Sequence, residues 1–119
     1  LTMCIQHQNL AMHIHPHLAI KIKGQEQKIP SNIGIAPACM RPIHTHDDTG
    51  TLHLEFPVKR DVRVGEFFQI WEKEFSSTKI FDKQNGPEGT VKIFVNGQPN
   101  SEFENYLMKD KDQIEIIFE

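Results

Sequence analysis

Alternation at a period of two runs through much of this chain, and in two places the repeating residue is histidine. These are His13-Ile-His15-Pro-His17, and His44-Thr-His46 continuing to His53-Leu-Glu55. Residues two apart on a β-strand leave the same face, so a chain patterned in this way folds chiefly as short strands with one face polar. Six of the seven histidines belong to these runs. Pro16 has no N–H to give to a ladder, which sets the first run at a sheet edge or at the start of a strand.

The second run can fold back on itself, because Asp47-Asp48-Thr49-Gly50 reads as a tight connection between two strand-like pieces spanning 42–56. With Asp48 and Thr49 as the loop, His44 faces His53. With a loop two residues longer, His46 faces His53 and His44 faces Glu55. Either register puts three imidazoles and a carboxylate on one hairpin face, a ligand set for copper or zinc. Clustered imidazoles are poor core material, since each carries a donor and an acceptor that burial must satisfy. The competing explanation is a polar or pH-responsive surface. His13, His15 and His17 are further ligand candidates beside His44, His46, His53 and Glu55.

Cys4 and Cys39 stand ahead of the two runs. They are either a disulfide closing a long loop or a pair of soft thiolate ligands, and their spacing does not choose between these. Met3, Met12 and Met40 lie next to Cys4, His13 and Cys39, where thioethers suit Cu(I), although methionine is more often a gap filler in cores.

At 119 residues the chain is long enough for one modest core, and its formal charge of −3 gives no reason to expect nucleic acid. Basic residues are scattered, as on an ordinary solvated surface. No apolar run is long enough to cross a bilayer. The opening at Leu1 fits a processed or trimmed product. Residues 1–12 read as an N-terminal extension.

His17 to Lys23, the turn at Gly24-Gln25 and Glu26 to Ile29 predict a first hairpin. Ile33 to Pro37 reads as an irregular connection. Val64, Phe68, Trp71 and Phe75, with Phe67, recur at helical spacing and predict an amphipathic helix over 64–75. Thr90 to Val95, a turn at Asn96-Gly97 and a last strand from Gln113 to Phe118 follow. One helix across a mixed sheet, with a histidine-rich hairpin inserted, is a single α+β domain.

The tail Val95-Asn-Gly97, Asn105-Tyr-Leu and Lys109-Asp-Lys-Asp112-Gln-Ile-Glu-Ile resembles ubiquitin-like β-grasp proteins and their sulfur-carrier relatives. Lys111 stands where those carry glycine, and the chain ends at Phe118-Glu119 without Gly-Gly. The resemblance therefore implies the fold and not the carrier function. A second resemblance spans most of the chain: Cys4, His13-Ile-His-Pro-His17-Leu, Ile29-Pro30, Ile33-Gly-Ile35, Cys39, Ile43-His-Thr-His-Asp47, Thr49-Gly50, Leu52-His-Leu-Glu55, Pro57, Gly65-Glu-Phe-Phe68 and Ile70-Trp71 look like a family of uncharacterised secreted or membrane-anchored proteins of bacteria and archaea. That resemblance implies an extracytoplasmic address and, with it, a Cys4–Cys39 disulfide.

The function expected from these features is capture and transfer of copper, or alternatively zinc, with a membrane-bound or secreted metalloprotein as giver or receiver. A histidine hairpin at a sheet edge also suits a metal bridged across a dimer. Two other classes compete. One is a metallo-enzyme in which Glu55 or Asp47 serves as general base to a metal-bound water; the other is a metal-free interaction module. No serine lies in a nucleophile elbow and no glycine-rich phosphate loop occurs.

Overall fold

The computed structural model describes residues 3–6 and 9–119, and structural statements below refer to these. The elements run β1 (Met12–Ile14), β2 (His17–Ile22), β3 (Gln25–Gln27), β4 (Ile35–Ala36), β5 (Cys39–Met40), β6 (Ile43–His44), β7 (His53–Phe56), α1 (Val64–Trp71), β8 (Phe75–Ser76), β9 (Lys79–Ile80), β10 (Lys83–Gln84), β11 (Val91–Val95), β12 (Gln98–Asn100), a 3-10 turn (Phe103–Asn105) and β13 (Gln113–Phe118).

The largest sheet is ordered β12-β11-β13-β2-β3, with β2 and β13 parallel at its centre and the other pairs antiparallel. Its alternation is what the sequence predicts. Leu18 and Ile20, Val91, Ile93 and Val95, and Ile114, Ile116 and Phe118 are buried, while the opposite face pairs Lys21 with Glu115 at 3.4 Å in solvent. The two hairpin turns each take two consecutive residues of positive φ, Lys23-Gly24 and Asn96-Gly97, which matches the right-handed twist of the flanking strands. The first turn thus falls one residue earlier than expected.

Helix α1 is shorter than its apolar spacing predicts. Glu72 adopts a left-handed conformation at φ 62° and the Lys73 N–H closes back onto the Phe68 carbonyl, so the helix ends at Trp71. Phe75 instead begins β8, yet its ring still packs on Phe68 at 5.0 Å between centroids. The apolar stripe is core as its spacing predicts, but it is divided between a helix and a strand. At the other end, the Glu66 carboxylate accepts the Arg63 N–H at 2.8 Å and pairs with Arg60. Phe67 and Phe68 are fully buried, worth about 1.5–3 kcal/mol each. They join the strands in one contiguous hydrophobic cluster, which also takes in Ile43, Leu52, Leu54 and Phe56 from the histidine-rich region.

Two segments differ from expectation. Ile33 to Pro37 is not wholly irregular, because β4 and β5 form a small ladder with Ile35 opposite Met40 and Ala36 opposite Cys39. Cys39 is bridged to Cys4, with Cα atoms 5.1 Å apart, so neither cysteine is a thiolate ligand. The 42–56 region is likewise not a tight hairpin. β6 and β7 pair, but the connection runs from Thr45 to Leu52 and is drawn inward at both ends. The Thr45 hydroxyl donates to the Pro30 carbonyl at 2.8 Å and accepts the Ile33 N–H at 3.0 Å. Gly50 passes so close to β2 that a Cβ would lie 2.3 Å from the Leu18 carbonyl oxygen, which only glycine permits.

Candidate metal centre

β7 is the middle strand of a second sheet, ordered β1-β7-β6. Its alternation divides the sheet into two chemically distinct faces. Leu54 and Phe56 of β7 and Ile43 of β6 enter the core, with Met12 and Ile14 of β1 packed against it. His53 and Glu55 point the other way. The registers put His13 opposite Glu55 and His44 opposite His53, and directly opposed residues share a face. Of the two registers open to the sequence, the structure has the one with His44 facing His53. The unexpected event is that the first histidine run joins this sheet through β1.

One carboxylate oxygen organises the face. Glu55 Oε2 lies 3.2 Å from His44 Nε2, 3.4 Å from His13 Nε2 and 3.7 Å from His53 Nδ1, and its side chain is only 1 % exposed. A tetrahedral ion with bonds of about 2.1 Å has ligand–ligand edges of about 3.4 Å, so these separations from Glu55 Oε2 are compatible with donors around a shared cation. The rings of His44 and His53 stack at 5.4 Å between centroids, and exposed His46 meets both edge-on at 4.7 and 4.6 Å. Two sets of ligand atoms close to within 4.8 Å: His44, His46, His53 and Glu55, and His13, His15 and His53.

His44 carries the clearest chemical signature. Its Nδ1 lies 2.7 Å from the Arg41 carbonyl, which can only accept, so Nδ1 bears the hydrogen. In the neutral ring Nε2 is then a lone pair. That atom is buried, has no hydrogen-bond partner and faces a carboxylate oxygen, itself an electron-pair donor. A proton or a metal ion is needed between them, and burial pushes the imidazole below its ordinary value of 6.5 against the opposing pull of Arg41 and Glu55. A ring nitrogen fixed by a backbone carbonyl while the other faces inward is the arrangement by which proteins orient metal-ligating histidines. Gly34 lets the backbone approach this point. At φ +76°, a Cβ there would lie 2.4 Å from the Ile43 carbonyl oxygen and 3.2 Å from His44 Cβ.

His53 is pushed down to about 4, first by burial and then by the like charge of His15, His46 and His44. Both rings are therefore held neutral, as ligation requires. Between pH 6.5 and 4 the unfolded chain takes up a proton at His53 that the folded chain refuses, so metal-free stability must fall as pH falls through this window. Discounted for the ring's partial exposure, the loss is about 2 kcal/mol. Equilibrium urea unfolding at pH 7 and pH 4.5 measures it. Wild type should lose about 2 kcal/mol more than His53→Ala, and equal losses would show that His53 titrates normally.

His17 is not brought to this face. Pro16 separates β1 from β2, and His17 opens a strand of the other sheet, where its Nε2 donates to the Thr49 carbonyl at 2.7 Å. The period-two argument fails there because the run is not one strand. Asp47 is also outside both ligand sets; its Oδ1 accepts the Thr49 N–H and hydroxyl. Met12 faces the core side. Sequence reasoning missed two positioning groups. The Arg41 carbonyl left no side-chain signal, and Asp110, which accepts the His15 N–H at 2.8 Å, lies 95 residues away.

No family model, curated protein or solved structure matches this chain.

Proposed function

We propose that this domain captures and hands on a transition-metal ion, copper in preference to zinc, through His44, His46, His53 and Glu55. The observation that carries the reading is the buried His44 Nε2, hydrogen-bonded to nothing and aimed at a buried carboxylate. Imidazole donors suit both ions, and Cu(II) stands above Zn(II) in intrinsic affinity. Exposed His46 and half-exposed His13 give the ion a path to solvent and to a partner, which suits transfer. Glu55, the general base of the enzymatic alternative, is wedged among imidazoles with almost no exposure. That is a ligand's position.

The remaining finer readings follow from this one. The Cys4–Cys39 disulfide supports an oxidising, extracytoplasmic compartment, in agreement with the resemblance to secreted and membrane-anchored proteins, and a secreted or membrane-bound metalloprotein is the exchange partner. Among the described residues no helix is long and apolar enough to cross a membrane. A β-grasp type for the main sheet is supported by its order, a terminal hairpin reversed beside the parallel last strand and a second hairpin beyond it.

Metal content of untagged protein, with titration of Cu(II), Cu(I) and Zn(II) into the metal-free form, tests the reading. Submicromolar binding is expected, weakened at least about 100-fold in His44→Ala/His53→Ala. Binding no tighter than that of scattered surface histidines would reject it in favour of the interaction module.

A further inference from the structure

The sheet face carries more donors than one ion takes. Around the central strand β7 the ligands are arranged in two halves: β6 and its extension supply His44 and His46 on one side, and β1 and its extension supply His13 and His15 on the other. The ring spacings repeat. His44–His46 and His13–His15 are both 4.7 Å between centroids, and His46–His53 and His15–His53 are both 4.6 Å. The donor atoms close up as two overlapping sets that share His53. Within each set the donor atoms lie within 4.8 Å of one another, so a small inward movement brings each set to the roughly 4.2 Å that an ion with bonds of about 2.1 Å can span.

We infer that this face holds two metal ions side by side, the second carried by His13 and His15, with the Glu55 carboxylate of the central strand shared between them and His53 a ligand to one of the two. The inference rests on the single-ion reading above and extends it. Glu55 Oε2 already lies between the two halves, 3.2 Å from His44 Nε2 and 3.4 Å from His13 Nε2. A carboxylate so placed can bridge ions about 3.5–4 Å apart. Asp110, whose carboxylate accepts the His15 backbone N–H, fixes the backbone that carries one of the second ion's donors. The ions are of one class, first-row and imidazole-loving, copper or zinc.

Zn(II) stoichiometry after equilibrium dialysis, read by elemental analysis, decides the count. Wild type should hold two equivalents and His13→Ala/His15→Ala one. Both histidines lie at the rim, and a second measurement on unsubstituted protein removes any dependence on the variant's folding. The electron paramagnetic resonance of Cu(II)-loaded wild type should show a full signal per copper at one equivalent and a broadened or diminished signal per copper at two, from spin coupling across the shared carboxylate. One equivalent in wild type, unchanged in the double variant, overturns the second ion and leaves the first site standing. Two equivalents with magnetically isolated copper, or a second equivalent indifferent to His13 and His15, also overturns it. No bound metal at all removes the first reading together with the second.

Discussion

Glu55→Gln is expected to melt at the same temperature with and without Zn(II), whereas wild type should gain on the order of 15 °C from the metal. The wild-type gain follows from linkage. An ion at about 1,000 times its dissociation constant stabilises the folded state by about 4 kcal/mol, and in a domain of this size each kcal/mol is worth roughly 3–6 °C. Glutamine keeps the shape of the side chain and removes its charge. Its amide N–H can donate to His44 Nε2, 3.2 Å from the present carboxylate oxygen, so the one atom left without a partner acquires one. Metal-free Glu55→Gln should therefore be no less stable than metal-free wild type, although it binds metal poorly. A general loss of packing would lower both forms together. Thermal scans of the four samples separate these cases, and a metal-induced rise that survives in Glu55→Gln would remove Glu55 from the site.

Reduction of Cys4–Cys39 is the second large effect. The bridge closes a sequence separation of 35 residues, for which the chain-entropy model gives about 3–4 kcal/mol, or a fall in melting temperature on the order of 10–15 °C. The cost also reaches the metal face. Cys39 lies in the β4–β5 ladder, Met40 accepts the Ile5 N–H at 2.8 Å, and Arg41, whose carbonyl orients His44, is tied to Gly34 at 2.8 Å. Loosening this segment should weaken metal binding as well as lower stability. Calorimetry with and without reductant, and of Cys4→Ser/Cys39→Ser, measures the first effect, and titration of the same samples measures the second. Unchanged melting after verified reduction would mean that the bridge only decorates an already ordered segment.

Local signals led to much of this structure. Alternation found the strands of the main sheet, Asn96-Gly97 marked its turn, and the pairing of His44 with His53 was one of two registers that the sequence left open. The failures share a physical origin. β1 reaches β7 across some forty residues, and pairing at that range is decided by the core that Ile14 and Leu54 jointly enter, which no window of sequence contains. Glu72 ends the helix in a left-handed conformation usually given to glycine, so its sequence gave no stop signal. Thr45, between two histidines in sequence, is a buried hydrogen-bonding post, which nothing in its sequence neighbourhood marks. The Arg41 carbonyl that sets the His44 tautomer belongs to the backbone, which every residue carries alike.

The strict division of the β1-β7-β6 sheet into an apolar face and an imidazole face has an evolutionary consequence. Side chains that hold the sheet to the core and most of the candidate ligands occupy alternate positions of the same strands. Under the proposed function, exchanging His13, His15, His46 or His53 for other donors should alter which ion is preferred while Ile43, Leu54 and Phe56 stay buried in the core. Metal preference in such a sheet would be free to change without a change of scaffold. His44 and Glu55 are the exceptions, because these candidate ligands are also buried, and it is there that a change of metal must be compatible with the fold.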